Sequence, residues 1–300
     1  MFSVTILGNN SAVPAHNRHP TSQVLQTSDH TFLIDCGEGT QMQMDAYKIR
    51  RSKISRVFIS HLHGDHYYGL IGLLTSFGLN QRTAELHIYS SEALPGIIHL
   101  QLKAANAQLP YPLIFHTIGS DRTLFEDKKI CVQSFAVNHR IECWGFIFRE
   151  KKNLRKIDPV TIKKFNVPTA LYENLHAGQD IVLADGTFIK NDLVTSAVTN
   201  AKSYAYCADT SYFEPIIEKI KGVDLLYHEA TYLQSLEQKA ESRFHSTTKQ
   251  AATIALKAGV KKLLIGHFSS MYEKLDDFKA EACAVFENTE LAVEGACFLL

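Results

Sequence analysis

The chain has 300 residues, a length that admits one α/β domain or two smaller ones and by itself decides neither. Apolar residues are 45% and charged residues 21% of it, which excludes a largely disordered or fibrous protein. Its 31 Lys and Arg residues are balanced by 31 Asp and Glu residues. That balance argues against a chain that coats nucleic acid through global charge, so any polyanion must meet local basic patches.

The first residues, Met1 to Gly8, have no basic run and too short an apolar stretch for a signal peptide. Nowhere do about 18 apolar residues follow one another. The chain is therefore expected in the cytoplasm, without a membrane partner. Its six cysteines (Cys36, Cys131, Cys143, Cys207, Cys283 and Cys297) form no Cys-x-x-Cys pair, and reduced, buried thiols are expected.

In chain order, β-rich runs predict strands at Val4 to Leu7, Phe32 to Asp35 and Arg56 to Ser60, then at Leu86 to Tyr89, Cys131 to Phe135 and Trp144 to Phe148. Further strands are predicted at Tyr204 to Cys207, Leu225 to Tyr227 and Lys262 to Ile265. Helices fit between them at about Met42 to Ile49, Tyr67 to Phe77, Tyr212 to Ile220, Ser246 to Ala258 and Lys274 to Glu287. This is an α/β alternation in which polar loops follow the strands, and loops on a rigid scaffold are where chemistry tends to sit.

Residues 150–196 break the rhythm. Pro159 and Pro168 interrupt the helical pattern, and Asp185-Gly186 forms a turn signal. The segment reads as an inserted arm within one domain spanning 1–300, because the alternation resumes at Tyr204. From Arg149 to Lys164 it carries seven basic residues against two acidic ones. A second basic run, Lys48, Arg50, Arg51, Lys53 and Arg56, has no acid among it. A solvated charged face explains either run alone equally well.

The densest chemical signal is His61-Leu62-His63-Gly64-Asp65-His66, directly after an apolar strand. Imidazole nitrogen and carboxylate oxygen suit Zn²⁺, and a tight turn after a strand can splay neighbouring side chains towards two metals. Four specified residues at fixed spacing arise by chance in a chain of this length roughly two times in a thousand. His139, Asp209 and His267 also follow apolar strands, the places from which one shared site can be built. His16, His30, His87, His99, His116 and His176 read as ordinary surface or core histidines.

Taken together, these residues resemble the metallo-β-lactamase superfamily, and within it the ribonuclease Z family of tRNA 3′-processing endonucleases. The resemblance runs over nearly the whole chain: Leu7-Gly8 with Pro14 and Arg18, Asp35 to Gln41, His61 to His66, His139, Asp209-Thr210, His228-Glu229-Ala230-Thr231, His245-Ser246-Thr247 and His267 to Ser270. It implies a four-layer αββα sandwich. It implies two Zn²⁺ per subunit, other divalent metals being possible, with His61, His63, His139 and Asp209 holding one. Asp65, His66, His267 and a bridging Asp209 would hold the other.

The same resemblance implies a metal-activated water attacking the phosphodiester with Asp65 as general base, while His245, held by Glu229, protonates the departing 3′ oxygen. Asp35 would orient a metal-bound His, and His228 reads as a packing residue. The implied partners are a tRNA precursor, gripped by the basic arm, and a second copy of the chain in a homodimer. The sequence also departs from the family pattern at His19, Ala208, Met271 and Val167 to Leu171. Met271 stands where an Arg is usual. Two other readings therefore stay open: a hydrolase of small phosphodiesters or sulfate esters, and an RNA-binding scaffold without activity, which the full set of metal positions disfavours.

Overall fold

The computed structural model describes residues 2–151, 155–196 and 201–300. They form two compact units, one of Met1–Phe125, Val132–Phe148 and Ser203–Leu300, the other of Glu126–Cys131 and Arg149–Lys202.

Two seven-stranded sheets build the larger unit. The first has the order Cys297–Leu299, Ser3–Gly8, Ser22–Gln26, Thr31–Ile34, Ile54–Phe58, Leu86–Ser90 and Leu113–Thr117. Its last four strands are parallel. The second runs Thr289–Leu291, Leu263–Gly266, Leu225–Glu229, Ser203–Cys207, Trp144–Glu150, Ile130–Ala136 and Thr123–Glu126, with its first four parallel. Parallel strands are buried on both faces, which is why Leu225-Leu226-Tyr227 and Leu263-Leu264-Ile265 are apolar without alternation.

Between the sheets the side chains are aromatic. The Phe58 ring packs 5.4 Å from both Phe146 and Phe148 and 5.8 Å from Phe32, and Tyr206 stacks on Tyr227 at 5.0 Å. On the outer face of the first sheet, Met44, Leu70, Leu73, Leu74 and Ile98 bring helices Thr40–Ala46, Leu70–Leu79 and Leu94–Ala104 into one apolar cluster with the strands. Ala251, Ala255, Phe278 and Ala282 do the same for helices Thr248–Ala258 and Asp276–Cys283 on the second. The layers are thus helix, sheet, sheet, helix.

Several elements differ from the sequence reading. The helix expected from Tyr67 to Phe77 is split into Gly64–Tyr67 and Leu70–Leu79. The chain between them presses backbone on backbone: a Cβ on Gly69 would lie 2.1 Å from the Gly37 carbonyl oxygen. Pro215 delays the helix expected from Tyr212, which begins as a 3₁₀ turn at Glu214–Ile216. Leu94–Ala104, with Pro95 in its first turn, and the strand Leu113–Thr117 went unread. All six thiols are free, but only Cys36, Cys143 and Cys207 are buried; Cys297 is exposed on an edge strand.

The smaller unit has its own core of Ile162, Val167, Leu175, Ile181, Ile189 and Val194. Pro159 does not interrupt a helix but opens one, Pro159–Lys164, whose first turn is capped by the Asp158 carboxylate. The Asp185-Gly186 turn joins the paired strands Ile181–Val182 and Phe188–Ile189. Lys151 pairs with Glu126 and Arg155 with Asp192, whereas exposed Lys156, Lys163 and Lys164 have no ion pair among the described residues. Lys152, Asn153 and Leu154 of the basic run lie outside the described residues.

Candidate metal centre

Strand ends supply the site. The loop after Thr31–Ile34 carries Asp35, the loop after Ile54–Phe58 carries His61 to His66, and the loop after Ile130–Ala136 carries His139. Asp209 follows Ser203–Cys207, Glu229 ends Leu225–Glu229, and His267 follows Leu263–Gly266. These side chains converge in two adjoining groups: ligand atoms of His61, His63, His139 and Asp209 lie within 4.8 Å of one another, as do those of Asp65, His66 and His267. Asp209 also groups with His245 and His267. His16, His30, His87, His99, His116, His176 and His228 belong to no such group among the described residues.

Outer partners fix which nitrogen of each imidazole faces inward. His66 Nδ1 lies 2.8 Å from Asp35 Oδ2, leaving Nε2 towards His267 and Asp209. Ser60 Oγ donates to Asp35 Oδ2 at 2.8 Å and lies 3.0 Å from His61 Nδ1, so it can accept that proton. His139 Nδ1 donates to the Phe244 carbonyl at 2.9 Å. Thr231 Oγ1 donates to Glu229 Oε2 at 2.8 Å and accepts from His267 Nδ1 at 2.9 Å. Asp35 is itself anchored by the Ser60 N–H at 2.7 Å and the Tyr206 hydroxyl at 2.6 Å.

Backbone strain concentrates here. Asp35, His267, Ala12 and Phe244 all adopt left-handed backbone, with φ of 54°, 60°, 64° and 58°, a conformation that residues other than Gly adopt only when their surroundings impose it. At Ala12 it aims the N–H at Asp65 Oδ2, 2.7 Å away.

Charges follow the geometry. Burial and the neighbouring His66 push His61 well below its ordinary value, and burial beside His139 brings His63 down to about 4. His66 is held well above its ordinary value: burial opposes the charge, but Asp209, Asp65 and Asp35 outweigh it. Burial likewise opposes ionisation of Asp209, yet His267, His66 and His61 keep it well below the usual carboxylate range.

The fit to a cation rests on one atom. Asp209 Oδ1 is buried and accepts no hydrogen bond, although His267 Nε2 and His66 Nε2 stand 3.2 and 3.4 Å away. Buried carboxylate oxygens are normally satisfied. Five imidazoles and two carboxylates in adjoining groups, one carboxylate oxygen among them unsatisfied, form a donor set for a metal cofactor, with nitrogen and oxygen ligands of borderline softness.

Beside this cluster sits a separate pair. Glu229 is fully buried, and its carboxylate accepts from the N–H groups of Thr210, Thr231 and Ser246 at 3.1, 2.9 and 3.0 Å. His245 Nδ1 lies 2.9 Å from Glu229 Oε1 and 4.0 Å from Asp209 Oδ2. Burial works against a charged imidazole at His245, but Glu229 raises its pKa to about 9. The helix Thr248–Ala258 is capped by Thr247 in a capping box with Gln250, so His245 has no capping duty. His228, fully buried, points its Nδ1 at the Glu229 carbonyl, 2.6 Å away.

Sequence reasoning missed Ser60, Thr231, Tyr206 and the Ala12 N–H. Ser60 and Thr231 adjoin His61 and Glu229 and were within reach of the same strand-end argument; Tyr206 and Ala12 carry no local signal. Arg18 ties the loop after Ser3–Gly8 down: its guanidinium donates to Asn10 Oδ1 at 2.9 Å and to the Glu273 carbonyl at 3.0 Å.

The fold is shared with human tRNase Z, short form (TM-score 0.73, 24% identity, 99% of this chain and 98% of that one), and with the metallo-β-lactamase fold protein YhfI from Bacillus subtilis (TM-score 0.71, 20% identity, 99% and 98%). Residues 191–268 match the beta-lactamase superfamily domain, and residues 2–139 match the family described as anti-Pycsar protein Apyc1. The architecture is therefore that of a metallo-β-lactamase-fold protein. Ribonuclease Z of Bacteroides fragilis is 42% identical over 301 residues, covering 100% of this chain and 99% of its own, and ribonuclease Z of Porphyromonas gingivalis is 41% identical over 295 residues, covering 98% and 97%. The chain belongs to the ribonuclease Z family.

Proposed function

We propose that this protein is a metal-dependent endoribonuclease that removes the 3′ trailer from tRNA precursors and leaves a 3′-hydroxyl on the tRNA. The observation that carries the reading is the Glu229–His245 pair, whose imidazole stands 4.0 Å from Asp209, an acid placed beside a cluster of candidate metal ligands in a chain related along its whole length to ribonuclease Z. His61, His63, His139 and Asp209 would hold one Zn²⁺, and Asp65, His66 and His267, with Asp209 beside them, would hold a second. When bound, such ions lower the pKa of water and offset the charge that develops on phosphate oxygens.

The chain's own residues do the rest. Asp65 Oδ2 already accepts the Ala12 N–H, which fixes the carboxylate so that it can orient the attacking water and take its proton. His245, with a pKa of about 9, carries a proton at neutral pH and delivers it to the departing 3′ oxygen. Glu229 keeps that imidazole charged and aimed. Exposed Lys156, Lys163 and Lys164 of the inserted unit bind phosphates of the RNA backbone. In this reading the enzyme is a cytoplasmic homodimer, the dimer being what the resemblance to ribonuclease Z implies. Among the described residues no helix is long and apolar enough to cross a membrane.

The experiment is cleavage of a tRNA precursor bearing a 3′ trailer by wild type and Asp65→Ala, each with its metal content measured. Loss of cleavage in the variant is expected, and retained cleavage would remove Asp65 from this role.

A further inference from the structure

Among the side chains lining the cavity in front of the cluster, about 510 Å³, are Tyr68 and Arg243, which the chemistry above does not use. Tyr68 follows the short helix Gly64–Tyr67 and is 64% exposed. Its ring lies over Gly64, where a Cβ would come within 2.1 Å of Tyr68 Cε2, so the glycine leaves room for it, and Tyr67 meets it edge-on at 5.0 Å. Among the described residues the Tyr68 hydroxyl has no hydrogen bond. The cavity therefore displays an aromatic ring that remains open to solvent, the kind of platform on which an unpaired base stacks.

Arg243 comes from the other half of the chain. Phe244 after it adopts φ 58° and gives its carbonyl to His139 Nδ1, which pins the loop at the cavity. The Arg243 side chain is exposed and makes no ion pair or hydrogen bond among the described residues. Arg18 and Arg155, by contrast, are tied to carbonyl, carboxylate or hydroxyl oxygens. A guanidinium without a partner among the described residues is suited to a phosphate, two of whose oxygens can accept from its planar fork.

We propose that Tyr68 and Arg243 form a pincer for the unpaired nucleotides next to the scissile phosphate, Tyr68 stacking on a base and Arg243 pairing with the neighbouring phosphate. This rests on the RNA-cleaving reading given above. It makes the pair determinants of specificity for single-stranded RNA beside the cut.

The test is steady-state cleavage of a tRNA precursor with a single-stranded 3′ trailer, over a range of salt concentrations, with bis(4-nitrophenyl) phosphate as the small comparison substrate. Tyr68→Ala is expected to raise KM for RNA about tenfold, well beyond any change on the small diester, and Tyr68→Phe to restore it. Arg243→Ala is expected to reduce the slope of log(kcat/KM) against log salt by about one, and Arg243→Lys to recover it. If Tyr68→Ala does not fold, Tyr68→Leu keeps an apolar side chain without a π face and carries the same expectation. An unchanged KM in Tyr68→Ala or Tyr68→Leu, a Phe variant as impaired as the Ala variant, or an unchanged salt slope in Arg243→Ala would overturn the pincer. Wild-type protein that hydrolyses the small diester but no RNA would instead overturn the functional reading beneath it.

Discussion

The metal-site loops and the inserted unit solve opposite problems with the same chain. Around Asp209 the backbone is strained at Asp35, His267, Ala12 and Phe244, and the outer nitrogens of His61, His66, His139 and His267 are tied to partners. The second unit, with six buried apolar side chains, shows Lys156, Lys163 and Lys164 exposed and without ion pairs among the described residues. Chemistry needs side chains held within fractions of an ångström, whereas a charged surface that meets phosphates needs only position and sign. A fault in the first region should thus remove catalysis outright. A fault in the second should weaken capture of RNA by degrees.

That contrast is open to attack in order of expected effect. Asp209→Ala removes the carboxylate that stands between the two ligand groups, with Oδ2 3.6 Å from His61 and Oδ1 3.4 and 3.2 Å from His66 and His267, and cleavage should fall by at least about a thousandfold together with metal content. An Asp209→Ala protein that keeps its metal and its rate would break the comparison at its centre. His245→Ala should lower kcat by about 10²–10⁴ while metal stays bound. The pH profile gives the sign: His245 is the acid form below about 9, so wild-type activity should decline as pH rises through that value, and the variant should lack this limb.

Smaller effects separate the two units. Leu175→Ala empties part of the inserted unit's core and should destabilise it by about 2–5 kcal/mol. Denaturant unfolding should then show a distinct early transition, with metal content preserved; loss of metal in this variant would mean that the two regions are not separable. Replacing Lys163 and Lys164 together with Ala should cost only a few-fold in precursor cleavage at low salt and flatten the salt dependence by up to about two phosphates. An unchanged salt dependence would remove these lysines from RNA capture.

Legibility in the sequence followed the same division. Strand ends were readable because buried parallel strands are apolar without interruption, so His61, Asp209 and His267 stood out as polar residues just past them. What escaped was what depends on tertiary contact. The break at Gly69 arises from the carbonyl of Gly37, far earlier in the chain. The anchoring of Asp35 by Tyr206 joins strands of different sheets, and the Ala12 N–H reaches Asp65 only because residue 12 is left-handed. Pro159 misled because proline ends a helix from within but starts one at its first turn, and local pattern alone did not say which.

The most direct test of the central claim is metal stoichiometry set against cleavage of a tRNA precursor with a 3′ trailer, before and after removal of metal by a chelator. Two divalent ions per chain, loss of cleavage on stripping and recovery on adding Zn²⁺ are the expected results. Full cleavage by metal-free protein, or a fully loaded protein that leaves the trailer in place, would contradict the account.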